Sequence, residues 1–381
     1  MPRPSRSRPA RSSGLDTLRA LAILLVFAFH EQIFFSQRPT FGFISRIGWV
    51  GVDLFFVLSG YLIGDQLIAE WRARRTVDLG RFYARRLLRT LPAFWFVLAL
   101  YVALPEVMGG RTPPPLWRFL TFTQNIGLRA GTAFSHAWSL CVEEQFYLLL
   151  PLVLLGVASL RSRSATVWAL GFALAIAIGA RTVLWRVHGQ DQNGYQTWIY
   201  YASICRFDEF LPGIAVAVLR NLHPRAWRAA CARPHLTLGA GLLATAMMFA
   251  LFLTAHDQED GSHTFWMTVL GYPLLAAAFA LLVLSALSPG SVLARVQVPG
   301  ARSLALWSYA IYLSHKALMH LAGAWLPRFG LGTDSRWSVA ALAVTCVAVG
   351  WLLHVVVERP FMRLRSSVEA RRFPARSPRP A

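Results

Sequence analysis

Leu15–Phe35 reads LDTLRALAILLVFAFHEQIFF, and the rest of the chain is organised around this stretch. About 20 apolar residues at 1.5 Å each cross the roughly 30 Å hydrocarbon core of a bilayer, so the stretch is long enough to span it. It nevertheless carries Arg19 near its start and His30 deep inside. Eleven helical steps of about 100° return to within about 20° of the start, which puts both side chains on one face, about 16 Å apart along the axis. Ionisable groups within a membrane are costly and face a protein interior or a wet cavity. Two readings are open here. Arg19 can snorkel to headgroups and His30 can be a packed, hydrogen-bonded residue, or both can serve chemistry.

Composition extends the membrane reading to the whole chain. Of 381 residues, 55% are hydrophobic and only 15% charged. Long apolar runs recur throughout, which indicates an all-α polytopic membrane protein rather than several soluble domains. The expected organisation is a basic disordered N-terminus over 1–16, a transmembrane domain over 17–357 and a basic tail over 358–381. No small-residue cleavage site follows the basic lead, so the first span is expected to be retained. A net charge of +20 would suggest nucleic acid in a soluble protein. In a membrane protein it holds loops on the cytoplasmic side, and no nucleic-acid partner is expected. The four cysteines, Cys141, Cys205, Cys231 and Cys346, have no paired spacing, so neither a disulfide framework nor a metal site is expected.

Ten spans are predicted: Thr17 to Phe35, Gly48 to Ile68, Leu91 to Val107, His136 to Val157, Thr166 to Leu184, Ile199 to Leu219, Leu236 to Ala255, Phe265 to Leu287, Ser303 to Leu321 and Trp337 to Val357. Pro92 opens the third, where it suits a first helical turn. With the N-terminus inside, inner segments hold 26 basic residues and outer segments 9, which puts both termini in the cytoplasm. The longest outer segment, Met108 to Ser135, is expected to be functional because loops of that length commonly are. The HDQEDG turn from His256 lacks full calcium-loop spacing and reads as a solvated acidic turn.

Counting 1.5 Å per residue, His30, Asp53, Glu143, Glu144, Arg206, Asp208, Glu209, His315 and Lys316 fall in one slab of the outer half. They are expected to share one buried polar cavity, with Trp138 and Ser139 beside it. An imidazole near carboxylates suits general-base activation of a hydroxyl. A carboxylate can orient that imidazole. On the inner side, GRFYARRLLRTLP carries Arg81, Arg85, Arg86 and Arg89. Arg85 with Arg89, and Arg86 with Arg89, stand one turn apart and can fork onto phosphate oxygens. Plain positive-inside anchoring explains the same charges. No G-x-S-x-G elbow, H-E-x-x-H, C-x-x-C or G-x-x-x-x-G-K-[ST] occurs, so a soluble-type serine hydrolase, a metal hydrolase and ATP-driven transport are unsupported.

These pieces together resemble the integral-membrane acyltransferase-3 family, of the O-antigen and peptidoglycan O-acetyltransferase type. The resemblance rests on LDTLRALAILLVFAFH with its Arg-x10-His at Arg19 and His30, and on GWVGVDLFFVLSGYLIG from Gly48. It continues through FYARRLLRTLPAFW with Arg-x-x-Arg at Arg86 and Arg89, HAWSLCVEEQFYLLLP from His136, and weaker echoes in WSYAIYLSHKAL and ERPFMRL. It implies a bacterial inner-membrane enzyme without a bound cofactor. An acyl group, commonly acetyl, would pass from cytoplasmic acyl-CoA to an extracytoplasmic carbohydrate or glycoside hydroxyl. His30 would be the base or a transient acyl carrier. Arg86 and Arg89, with Arg19 and Arg85 nearby, would contact the donor, and Glu143 or Glu144 would assist His30. Many relatives add a soluble hydrolase-like domain at the C-terminus. Here an Arg/Pro/Ser tail stands instead, so acceptor handling is expected within the membrane part. The runner-up is a proton-coupled secondary transporter using the same ionisable layer, against which the missing repeats stand. A third class is a non-catalytic sensor or scaffold.

The 26-to-9 split makes a testable statement about sidedness. Single cysteines replacing Gly261 and Ser162 should label from opposite sides of the membrane. Labelling of the Gly261→Cys protein from the cytoplasmic side alone would overturn the topology.

Overall fold

The computed structural model describes residues 12–109, 113–160, 162, 164–256 and 263–372. Residues 1–11 of the expected disordered N-terminus, 373–381 of the basic tail and 257–262 of the acidic turn lie outside these residues, while Arg359–Arg372 of the tail is helical. Among the described residues the fold is all-α, and extended pairing is limited to a single bridge between His256 and His263. The principal helices are α1 (Ser13–Glu31), α2 (Val50–Arg74), α3 (Leu79–Ala103), α4 (Trp138–Ser159), α5 (Ala165–His188), α6 (Leu211–Leu222), α7 (Pro234–Ala255), α8 (Tyr272–Leu287), α9 (Ala301–Trp325), α10 (Arg336–Leu353) and α11 (Arg359–Arg372).

Eight of the ten expected spans correspond to helices that are long and apolar enough to cross a membrane, counting described residues only. The ninth, α9, has the length but carries Arg302, His315, Lys316 and His320, and it packs between α1 and α10. The sixth is broken. A π turn at Gln196–Tyr200 and 3-10 turns at Ser203–Cys205 and Phe207–Phe210 precede α6. With 12 residues, α6 rises only about 18 Å, too little for the hydrocarbon core. Irregular backbone at membrane depth is tolerated where protein buries it. Here the break turns Arg206 and Asp208 toward partners on other helices, with Glu209 on Arg206.

Two further boundaries differ from expectation. The third span begins at Leu79 instead of Leu91, because the Asp78 carboxylate accepts from the Arg81 amide at 2.9 Å and caps the helix. Pro92 therefore sits inside α3, and the arginines from Arg81 to Arg89 project from the membrane helix itself rather than from a loop. Arg181, counted above with an outer segment, lies fully buried in α5, which leaves eight outer basic residues.

The most extensive helix pairing is α2 against α6. Glycines on both sides permit it. A Cβ on Gly60 would fall inside the radius of the Phe210 carbonyl oxygen, and one on Gly213 would do the same to the Val57 carbonyl. Small residues let membrane helices approach to backbone contact. The segment after the proline-rich run is tied to the broken span by a closed triangle. Asn125 donates to the Ser203 hydroxyl (2.8 Å), Ser203 to the Gln145 carbonyl (2.6 Å), and Gln145 back to Asn125 (3.1 Å).

Gly60→Ala should lower stability by about 1–3 kcal/mol, the usual cost of overpacking a close contact. Thermal or denaturant unfolding in detergent reads this directly. An unchanged transition would mean that α2 and α6 are free to separate.

Candidate active site

The residues expected in a single cavity fall into three clusters. The first is an ion network that holds the broken span. Arg181 meets Asp208 through both carboxylate oxygens at 2.8 and 2.5 Å and donates to the Cys205 carbonyl at 2.6 Å. Arg206 contacts Asp53 at 3.1 Å and Glu209 at 2.9 Å. Its guanidinium lies over the rings of Tyr272, Tyr200 and Trp138 at 4.3, 4.9 and 5.3 Å. Asp53, Arg206 and Asp208 are at most 1% exposed, so the network is enclosed by its neighbours, Trp138 among them. Nearby, the Tyr195 hydroxyl bonds His256 at 3.1 Å and Tyr272 at 2.8 Å. Burial holds the His256 imidazole, just past the end of α7, down to about 3, so it stays neutral at ordinary pH.

The second cluster is a cavity of about 80 Å³. Arg19 enters it from α1, Ser59 from α2, Arg86, Arg89 and Thr90 from α3, and Ser139, Glu143 and Tyr147 from α4. Spacings of i, i+3 and i+4 on α3 and of i, i+4 and i+8 on α4 put each set on one helical face. Arg85, one residue off that face, is not part of the lining. Glu143 accepts from the Ser59 hydroxyl at 2.7 Å, Ser59 in turn accepts from Tyr147 at 3.1 Å, and the Arg86 guanidinium lies 5.0 Å over the Tyr147 ring. Glu144 hydrogen-bonds Thr90. Both glutamates thus belong with the arginines. Glu143 stands seven residues along the chain from His136, which sits in the 3-10 turn Ser135–Ala137 just before α4.

The third cluster is made of histidines. Nε2 of His315 lies 2.8 Å from Nδ1 of His30. The ring of His136 stands 5.2 Å from His315 and 6.5 Å from His30 between centroids. Lys316 donates to the Ser135 hydroxyl at 2.8 Å and sits 4.4 Å over the Phe34 ring. Among the described residues no group of three or more His, Cys, Asp or Glu is arranged to hold a metal ion.

Helix α9 joins the second cluster to the third. Ser308, Tyr309, Tyr312, His315 and Lys316 follow i, i+1, i+4, i+7 and i+8, a single stripe along it. Tyr309 donates to the Thr90 carbonyl at 2.9 Å, at the arginine end. Tyr312 donates to the His136 carbonyl at 2.7 Å, and its oxygen lies 2.7 Å from Ser139. The polar groups therefore form a file from Arg19, Arg86 and Arg89 to His30. Sequence reasoning missed His136, Tyr309, Tyr312 and Ser59 as parts of it. The spacing of His136, Ser139 and Glu143, at i, i+3 and i+7, carried the signal for the first. The tyrosines read as ordinary aromatics in an apolar run, with nothing local to distinguish them.

A family model described as an acyltransferase domain matches residues 12–355. The O-acetyltransferase OatA of Staphylococcus aureus is 26% identical over 331 residues, covering 81% of this chain and 50% of its own length. The peptidoglycan O-acetyltransferase OatA of Listeria monocytogenes is 25% identical over 376 residues, 92% of this chain and 56% of that protein. The putative peptidoglycan O-acetyltransferase YrhL of Bacillus subtilis is 26% identical over 367 residues, 91% and 54% respectively. The chain thus spans about half the length of these relatives. No solved structure matches it. With the family match covering nearly the whole chain, and a polar file built into a bundle of membrane helices, the chain belongs to the acyltransferase-3 family of multi-pass membrane proteins.

Proposed function

We propose that this protein is a membrane O-acyltransferase that moves an acetyl group from cytoplasmic acetyl-CoA to a carbohydrate hydroxyl of the bacterial cell envelope. The observation that carries the reading is an arginine-lined cavity at one end of the polar stripe of α9 and the His30–His315 contact at the other. Arg86 and Arg89 fork onto the phosphates of the donor, with Arg19 beside them. The narrow pantetheine arm then follows the stripe of α9 toward the histidines, about 16 Å along α1 from Arg19 to His30. At that end His30 takes the proton of the acceptor hydroxyl as its oxygen attacks the thioester carbonyl. The carbon–sulfur bond breaks, the thiolate leaves with a proton, and the products are the ester and free CoA. The relatives' names supply the acetyl group and a peptidoglycan-like acceptor. Both termini lie in the cytoplasm in this scheme, as the basic residues suggest.

Acyl transfer from labelled acetyl-CoA to acceptor tests the chemistry. His30→Ala should remain folded and inserted, since it adds no charge, yet lose at least about 10²-fold in turnover, the usual general-base contribution. Wild-type turnover by a protein with unchanged detergent melting would move the base elsewhere.

Arg86→Ala or Arg89→Ala tests the donor end by direct binding of acetyl-CoA to purified protein. Losing a charge-assisted phosphate contact costs about 1.5–3 kcal/mol, or about 10- to 100-fold in affinity. An arginine-to-lysine change should recover only part, because the fork is lost. Unchanged affinity in both alanine variants would reduce these arginines to topology anchors.

A further inference from the structure

We propose that His315 is the positioning residue of the site, a neutral imidazole that fixes the tautomer of His30 in the role a carboxylate more often fills. The inference rests on the reading of His30 as base. Nδ1 of His315 lies 2.8 Å from the Tyr312 carbonyl and 3.2 Å from the Ile311 carbonyl. Both partners can only accept, so Nδ1 of His315 carries a proton.

That assignment propagates. His315 is 1% exposed and adjoins Lys316. Among the described residues neither His30 nor His315 makes a hydrogen bond to a carboxylate. A second cation there would face Lys316 in a medium that screens poorly, so His315 is neutral and its Nε2 holds a lone pair. The 2.8 Å contact with His30 then has one consistent assignment. Nδ1–H of His30 donates and Nε2 of His315 accepts. A neutral His30 protonated at Nδ1 keeps its lone pair on Nε2, the nitrogen left for a substrate hydroxyl. Burial agrees with these roles, since His315 is enclosed while His30 is half-buried.

The arrangement has a functional consequence. When Nε2 of His30 takes the acceptor's proton, Nδ1–H still donates to a neutral ring anchored to two backbone carbonyls, and the proton passes on to the leaving thiolate, so the second cation near Lys316 is transient. No carboxylate is needed beside the base. An acyltransferase with this dyad keeps its carboxylates, Glu143 and Glu144, at the arginine end. Loss of the correct tautomer in a hydroxyl–His relay is worth up to about 10⁴-fold in turnover.

The test exploits which ring nitrogen each amide side chain can imitate. In His315→Gln the amide reaches the Nε2 position, so its carbonyl oxygen can still accept from His30. In His315→Asn it reaches only the Nδ1 position, keeping the backbone anchor and abandoning His30. His315→Asn should lose about 10²-fold or more in kcat with acetyl-CoA affinity unchanged, and His315→Gln should recover at least ten-fold of that loss. In parallel, ¹⁵N spectra of histidine-labelled wild-type protein in bilayers should show His30 and His315 both protonated at Nδ1 and bare at Nε2 near neutral pH. Equal activity of the two variants, or a His30 protonated at Nε2, would overturn the inference. Its failure is separable from failure of the base assignment. An active His30→Ala protein removes the base, whereas an inactive one with equivalent Asn and Gln variants removes only the positioning role.

Discussion

Arg206 cannot reach water, so the protein must supply everything water would have given it. That requirement organises the bundle. Two carboxylates on different elements, Asp53 and Glu209, approach the guanidinium, and aromatic faces from α4, α8 and the broken sixth segment close around it. Asp208, on the same short turn, is matched by Arg181 from α5. Breaking one partner from such a buried pair costs about 3–5 kcal/mol, so the elements that supply partners are held in fixed relation. Trp138, pressed on Arg206, opens α4, and α4 in turn delivers Ser139, Glu143 and Tyr147 to the cavity. These buried ion pairs thereby hold in place the helix that carries the polar groups of the cavity.

Much of this was legible from residue patterns. The face shared by Arg19 and His30 is a matter of helical angle alone, and the forked pair Arg86 and Arg89 follows from i, i+3 spacing. Eight spans were readable because apolar length in a bilayer has few alternatives. What escaped was decided by distant partners. The sixth span reads as one helix with three charged residues in it, and it breaks where Arg206 and Asp208 pair with Asp53 and Arg181 from other helices. The third helix starts at a cap, Asp78, that a hydropathy count does not weigh. Depth along a span proved a poor guide to company. Glu143 and His30 fall at similar counted depth, yet packing gives the first to arginines and the second to a histidine.

The separation of charges along α9 also divides labour. Its arginine end offers cations for an anionic ligand, and its histidine end offers imidazoles and one ammonium, with no carboxylate hydrogen-bonded to either His30 or His315 among the described residues. A donor whose phosphates and reactive carbon are far apart suits such a layout, because each end of the molecule meets the chemistry it needs. The glycine contacts between α2 and α6 serve the same end by holding the wall that carries Ser59 and Asp53 close against the broken segment.

One hydroxyl in the middle of the file bears on a different problem. A bacterium stores energy as an electrical and chemical gradient, and each elementary charge that slips across dissipates about 2.3 kcal/mol per 100 mV. A row of tyrosines, serines and histidines is the material from which proton wires are made. Tyr312 interrupts the row, since its hydroxyl donates to the His136 carbonyl. A carbonyl oxygen accepts a hydrogen bond but has no proton to pass on, so hopping ends there. A hydroxyl committed in this way to a backbone carbonyl works against proton hopping along the stripe.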